Sequence, residues 1–264
     1  LQMSYPQASR LQSSISANVS YWVENANVLI PGMMGPDGFG RWDILMPSNI
    51  MIDLESWKPK TRSNMSDGRN DKVVIAHAPN HRGFKGTEFI IKAVEFLKTE
   101  GFYVELKLLE KIPNSQLKSI LHKEVDILIE QLVCTGHGLN ALEGMASSLP
   151  TISNLEDSEY VLPMRRWSYF SECPLVSATP ENIVEILRKL VTRPILRQQL
   201  GSAGRKYVEK YHGFDSAQYL FLNVIEYAYG RNDRLINLYH PILGEYPNRS
   251  QKINHCLIDN RIVD

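Results

Sequence analysis

Residues 72–101, KVVIAHAPNHRGFKGTEFIIKAVEFLKTEG, decide the fold class. Val73-Val74-Ile75-Ala76 is an unbroken apolar run of strand length, with no alternation that would leave one face in water. Such a strand is buried on both faces, as in a parallel sheet covered by helices. His77 to Gly86 is polar and reads as a loop. Thr87 can cap a helix whose apolar stripe is Ile90, Ala93, Val94 and Leu97, closed by Gly101.

The alternation continues downstream. Residues 103–109 set Val104, Leu106 and Leu108 against Glu105 and Lys107, a strand. Asn114 can cap a short helix carrying Leu117, Ile120 and Leu121. A second buried strand is expected over 125–129, a helix over 138–148 and a strand over 150–153. Strands separated by helices pair in parallel through crossovers. The expected class is therefore α/β, a Rossmann-like parallel sheet flanked by helices.

The flanks are less regular. Residues 1–20 are rich in Ser and Gln and show no clear period, 31–40 read as loop, and 42–47 as a short strand. Residues 58–71 are polar and read as a linker. Beyond the sheet region, Leu175-Val176 suggests a strand and Thr179-Pro180 a helix start, with helices over 197–211 and 216–229. Residues 164–167 form a basic and aromatic cluster of a kind usually found on surfaces, and the tail from Gly230 carries few regular signals. The expected organisation is 1–58, a remnant of a second domain with a hinge; 59–229, the ligand-binding domain; and 230–264, a tail.

With 264 residues and a formal net charge of zero, no global field favours nucleic acid or an anionic membrane. The cysteines Cys134, Cys173 and Cys256 are odd in number and form no Cys-x-x-Cys pair. That argues against a disulfide scaffold and a zinc site, and fits a reducing, cytoplasmic compartment. No run approaches the roughly 20 apolar residues that span a bilayer.

Two loops bear candidate chemistry. Residues 135–146, TGHGLNALEGMA, place Gly136 and Gly138 just ahead of a helix that carries Glu143. A helix start has unpaired N–H groups and a partial positive charge, which attract phosphate. Glycine lets a ligand approach the backbone, and a carboxylate further along can accept hydrogen bonds from sugar hydroxyls. The loop after the first strand holds Asn80, His81, Arg82 and Lys85, two cations able to neutralise a diphosphate. Both loops follow strands and so lie at the carboxyl edge of the sheet, where ligands of such sheets bind. His77, His81 and His137 fall in the same loops and could serve a sugar or acid–base chemistry. No His-x-x-x-His pair, acidic cluster, Gly-x-Ser-x-Gly elbow, Walker loop or Rossmann glycine fingerprint after the first strand is present, and no metal is expected.

Taken together, these residues resemble the carboxy-terminal, donor-binding half of a retaining GT-B glycosyltransferase, of the large bacterial polysaccharide and sucrose-synthase-like family. The resemblance rests on Lys85-Gly86 after the first strand, on Gly136-His137-Gly138-Leu139 followed by Glu143-Gly144-Met145-Ala146, and on Leu149-Pro150-Thr151-Ile152. Arg197, Leu200, Gly201, Gly204 and Arg205 are similar to the family's closing helices, and 49–59 to its hinge. Thr135 stands where the family carries a glutamate that touches the donor sugar, and Asn80 where it carries an arginine, with Arg82 nearby.

The resemblance implies roles. Lys85 and Arg82 would be the catalytic cations at the departing diphosphate. Asn80, Thr135, His137, Gly138, Leu139 and Glu143 would line the donor, with Glu143 on the ribose. The donor would be a UDP- or GDP-linked sugar, no metal or other cofactor is needed, and the acceptor would be a saccharide or a lipid-linked sugar. A lipid-linked acceptor would bring peripheral contact with the inner face of the membrane. About fifty residues precede Ile50, fewer than a full acceptor domain needs. Residues 1–48 are expected to be the end of such a domain, cut away or never present, so that this chain alone would be inactive. Two alternatives stay open: a non-catalytic nucleotide-sugar-binding module, suggested by Thr135, and a nucleotide-sugar epimerase on the same architecture.

Overall fold

The parallel sheet expected from the sequence is present in the computed structural model, which describes residues 8–30, 32, 41, 43–60, 64–232 and 234–263. Its strands are β1 (Val73–His77), β2 (Val104–Leu108), β3 (Ile127–Thr135), β4 (Thr151–Asn154) and β5 (Val176–Ser177), in the order β2-β1-β3-β4-β5, all parallel. In chain order the helices are α1 (Ala8–Asn25), α2 (Arg82–Lys85), α3 (Thr87–Thr99), α4 (Asn114–Lys123), α5 (Leu139–Ala146), α6 (Ser158–Trp167), α7 (Ile183–Thr192), α8 (Pro194–Tyr211) and α9 (Phe214–Ala228).

Successive side chains of β1 feed two cores, because neighbours on a strand point to opposite faces. Val73 and Ile75 join Ile127, Ile129 and the stripes of α3 and α7. Val74 and Ala76 join Leu128, α5, α8 and the segment Ile44, Leu45, Met46, Ile52 and Trp57. Residues 44–57, expected as the end of a second domain with its hinge, thus pack into the core of the sheet. Lys60 N–H donates to the Ser147 carbonyl at 2.9 Å, and Arg205 Nη1 donates to the carbonyls of Trp57 and Ala146 at 2.6 and 2.9 Å.

The close seat of α5 on the sheet needs Gly144. A Cβ there would stand 2.4 Å from Leu128 Cδ2 and 2.6 Å from Thr151 Oγ1. Only a glycine lets this helix lie that near to β3 and β4.

Several expectations are corrected. Residues 8–25 form a helix although the sequence shows no clear apolar period; Ile15, Tyr21 and Trp22 are exposed. Residues 43–47 are not a strand, although Ile44, Leu45 and Met46 are buried; Trp42 and most of 31–40 lie outside the described residues. The loop expected over 77–86 contains the single turn α2, capped when His81 Nδ1 accepts the Phe84 N–H at 3.4 Å. Strand β3 continues from the expected end at Ile129 to Thr135. Of the basic and aromatic cluster, Met164 is buried, and Arg165 donates to Asn260 Oδ1 at 2.9 Å.

The tail contains a hairpin, β6 (Leu257–Ile258) and β7 (Arg261–Ile262). Its two-residue turn, Asp259-Asn260, has φ of 49° and 65°, the left-handed pair that a type I′ turn demands. Asn260 then ties the tail to the sheet: its carbonyl accepts Ser177 N–H at 2.7 Å, and its amide donates to the carbonyls of Cys173 and Leu175, each at 2.9 Å.

Candidate functional site

The strand order reverses direction between β1 and β3, and the crevice beyond their carboxyl ends is where ligands of doubly wound sheets bind. The two loops singled out in the sequence meet there. Lys85, at the end of α2, donates to Glu130 Oε1 at 3.2 Å and to Gln131 Oε1 at 2.7 Å. Adjacent residues on a regular strand face opposite ways, so one lysine should not reach both. It does so because β3 loses its regular register against β4 at this point, with shifts between Ile129 and Gln131 and between Gln131 and Thr135. Such bulges re-aim side chains beside binding sites. Asn154 fills the broken ladder, its amide donating to the Leu132 carbonyl at 2.9 Å.

The glycine segment folds back over this strand. Gly136 adopts φ of 94°, a left-handed conformation that favours glycine. Its carbonyl accepts from Gln131 Nε2 at 2.9 Å and from the Ser153 hydroxyl, and its N–H donates to the Asn154 carbonyl at 2.8 Å. Gly138 is the cap residue of α5, and its N–H donates to Glu130 Oε1 at 2.7 Å. Lys85 and the Gly138 amide therefore converge on one carboxyl oxygen.

Glu130 is the residue that sequence reading passed over. Its side chain is 0% exposed, and Oε2 has no hydrogen-bond partner among the described residues. Burial raises its carboxyl above the ordinary value; Lys85, the Gly138 amide and the neighbouring Ser153 pull the other way. The signal was a polar pair, Glu130-Gln131, between the apolar residues 127–129 and 132–133, hidden by ending the strand at Ile129.

Glu143 lies on α5 and is buried, accepting from Asn114 Nδ2 at 3.2 Å and from Asn140 Nδ2 at 3.1 Å. Burial raises its carboxyl, against the pull of these two amides. Asn114, expected as a helix cap, is the first residue of α4 and holds Glu143 instead.

The remaining candidates are distributed unevenly. Arg82 stands at the rim, with its guanidinium paired to Glu88 at 2.6 Å and Glu110 at 3.0 Å. Asn80 and Leu139 are exposed, and Thr135 is half-buried at the end of β3. His77 is a core histidine: Nδ1 donates to the Ile129 carbonyl at 2.8 Å, so Nε2 accepts the Thr87 hydroxyl at 2.9 Å, and burial depresses its pKa to about 4. His137 is 1% exposed and stacks on Phe170 at 5.9 Å; burial, with His212 nearby, depresses its pKa to about 3. Neither of its ring nitrogens has a hydrogen-bond partner among the described residues. No three His, Cys, Asp or Glu side chains gather as a metal-holding group among the described residues.

No family model matches this chain, and no curated protein sequence matches it either. Among solved structures, the chain is similar to the C-terminal domain of a glycosyl transferase group 1 family protein (LpcC) from Francisella tularensis. The identity is 17%, the match covers 61% of this chain and 98% of that one, and the TM-score is 0.42.

Proposed function

We infer that the carboxyl edge of this sheet binds a nucleoside-diphosphate sugar, and that the chain is the donor-binding part of a retaining glycosyltransferase. The observation that carries this reading is the convergence of Lys85 Nζ and the Gly138 N–H on a single carboxyl oxygen, Glu130 Oε1, at the β1/β3 switch point. A cation and a cap amide focused on one point make an anion site in which charge is stabilised without reorganisation. Glu143, on the helix that follows, is buried and held by two amides, as suits a carboxylate accepting ribose hydroxyls.

In the proposed reaction the bond between the sugar's anomeric carbon and the β-phosphate oxygen breaks with its electron pair passing to the diphosphate. The acceptor hydroxyl bonds to that carbon from the same face, and its proton passes to the departing phosphate oxygen. Lys85 and the Gly138 amide stabilise the charge that develops there; Arg82 adds a cation once it leaves Glu88 and Glu110. The donor carries UDP or GDP and the acceptor is a saccharide or a lipid-linked sugar. No metal is needed, because Lys85 and the helix start carry the positive charge. A cytoplasmic location, with contact to a membrane where the acceptor is lipid-linked, belongs to the same proposal; among the described residues no helix is long and apolar enough to cross a membrane.

A second reading, a nucleotide-sugar-binding module without transfer, is favoured by Thr135 at the place of a sugar-contacting glutamate. Thermal unfolding in the presence of UDP-, GDP- and ADP-linked sugars tests the first part. A ligand at a hundred times its dissociation constant adds about 2.7 kcal/mol and raises the melting temperature by several degrees. No shift with any nucleotide or nucleotide sugar contradicts donor binding. Where binding is found, release of the nucleoside diphosphate in the presence of saccharide or lipid-linked acceptors supports transfer, and its absence supports the second reading.

A further inference from the structure

In the reading above Glu130 only marks the point on which Lys85 and the Gly138 amide converge, yet it sits at the centre of the site. Its Oε1 receives the Lys85 ammonium at 3.2 Å and the Gly138 N–H at 2.7 Å. These are the two groups assigned to the donor's diphosphate. A carboxylate oxygen and a phosphate oxygen ask the same of them, a short charge-assisted contact from a cation and an amide. Both cannot be met at once. The second oxygen, Oε2, is buried without a partner among the described residues. A carboxylate kept solely as a structural counter-ion is ordinarily satisfied at both oxygens.

We propose that the Glu130 carboxylate is a built-in competitor of the donor diphosphate: it occupies Lys85 and the Gly138 amide in the free protein, and donor binding converts it to the neutral acid with uptake of one proton. The proposal rests on reading this edge as a nucleoside-diphosphate-sugar site.

The chemistry follows from what faces Glu130. Lys85 approaches from α2 and the Gly138 amide from the start of α5, both favouring its charged form; Ser153 neighbours it on β4, with its hydroxyl donated to the Gly136 carbonyl. Burial opposes them, and the carboxyl already stands above its ordinary value. Glu143 on α5 feels Glu130 as a like charge. Bringing a diphosphate to Lys85 adds two more negative charges beside a buried carboxylate and removes its cation, which favours protonation. Protonated, Glu130 no longer repels the phosphate and can donate its O–H to a phosphate oxygen. In the free protein the neighbour Gln131 also places an acceptor on Lys85, at 2.7 Å, a second contact that holds the lysine at the site.

A protein of this kind binds its donor more tightly as the pH falls toward the free-state pKa of Glu130. The test is calorimetric titration of UDP-glucose and GDP-mannose, whose diphosphate esters do not titrate near neutrality, into wild type and Glu130→Gln. Titrations span about pH 6 to about pH 8.5, in two buffers of different ionisation heat, where the uptake of a proton by a buried carboxyl is read directly. Wild type is expected to take up a proton on binding and to weaken as pH rises. Glu130→Gln is expected to bind at least about tenfold tighter at pH 8, the equivalent of one titration unit, without proton uptake. Binding by wild type with no proton uptake overturns the proposal without need of any variant. Equal or weaker binding by a folded Glu130→Gln also overturns it and makes Glu130 a support for the loop. Failure of wild type and variant alike to bind either nucleotide sugar overturns the donor-site reading itself, and this proposal with it.

Discussion

Asp126 and Glu130 bracket the buried start of β3, and their environments are alike until the oxygens are compared. Both are paired with a partly buried lysine: the side chains of Asp126 and Lys60 are 3% and 14% exposed, those of Glu130 and Lys85 0% and 16%. Asp126 Oδ1 accepts from Lys60 at 2.5 Å, and Oδ2 accepts from Asn64 Nδ2 at 2.9 Å and the Val74 N–H at 2.8 Å. Glu130 puts both its contacts on one oxygen and leaves the other bare. At the amino edge the carboxylate bolts the entering chain and β1 to β3. Arg197 reinforces the bolt, donating to the carbonyls of Leu190, Val191, Asn64 and Ser66 at 2.6 to 2.8 Å. At the carboxyl edge hydrogen-bonding capacity is left unspent. The fully satisfied carboxylate acts as a structural tie, while the half-satisfied one at the sheet's switch point fits the donor site proposed above.

The largest expected effect is on acid stability, and it belongs to three histidines: His77 at the end of β1, His137 in the glycine segment, and His212, whose Nδ1 meets the Ile50 carbonyl at 2.8 Å. His77, His137 and His212 are buried, with pKa values depressed to about 4, 3 and 4. Their ordinary values are higher, so below neutrality the unfolded chain binds protons that the folded chain refuses. Stability is therefore full above the unfolded value and is lost as pH falls toward 4. Three such groups give a slope of up to about 4 kcal/mol per pH unit. Glu130 and Glu143, raised by burial, act in the opposite sense and soften it. Urea unfolding between about pH 7 and about pH 4.5 measures the slope, and a flat profile would mean that these rings are solvated.

Next comes the same chemical change made at each end of the strand. Asp126→Asn puts an amide donor against Lys60, Asn64 or Val74 N–H and should cost about 2–4 kcal/mol. Glu130→Gln should change stability by less than about 1 kcal/mol, because it removes a buried charge that is only half satisfied. Equal losses in urea unfolding would erase the distinction between the two edges. Gly144→Ala forces a methyl into Leu128 and Thr151 and should cost about 1–3 kcal/mol while pushing α5 away from the site. Its nucleotide-sugar affinity should fall with its stability; full affinity in a destabilised variant would separate the site from this helix. The smallest effect is expected of His137→Phe, which should alter neutral-pH stability by less than about 1 kcal/mol, since its ring nitrogens make no hydrogen bond to lose. It should also remove about one third of the acid slope.

The sheet and its order of elements were legible because Val73 to Ala76 and the stripes of α3 and α7 are repetitive apolar signals tied to geometry. The carboxyl-edge loops were legible for the same reason, since Lys85 and Gly138 could be placed by counting strands. Glu130 was not, because its meaning lies in contacts with residues far along the chain and in a register shift that no local pattern announces. Asn114 was read as a cap from its position, but its amide is drawn across to Glu143. Helix α1 was missed because its sequence shows no clear apolar period. The tail hairpin was missed because Asp259-Asn260 is a weaker turn signal than Asn-Gly.

The proposed function stands on Lys85, Gly138 and Glu143 together holding a nucleotide sugar. The most direct test is calorimetric titration of UDP-glucose and GDP-mannose into wild type, Lys85→Met and Glu143→Gln, each confirmed folded by urea unfolding. Saturable binding of one of the two by wild type is expected, with a loss of affinity of about tenfold or more in each variant, the worth of a charge-assisted contact. Binding that survives unchanged in both variants, or no binding by wild type, would contradict the proposed function.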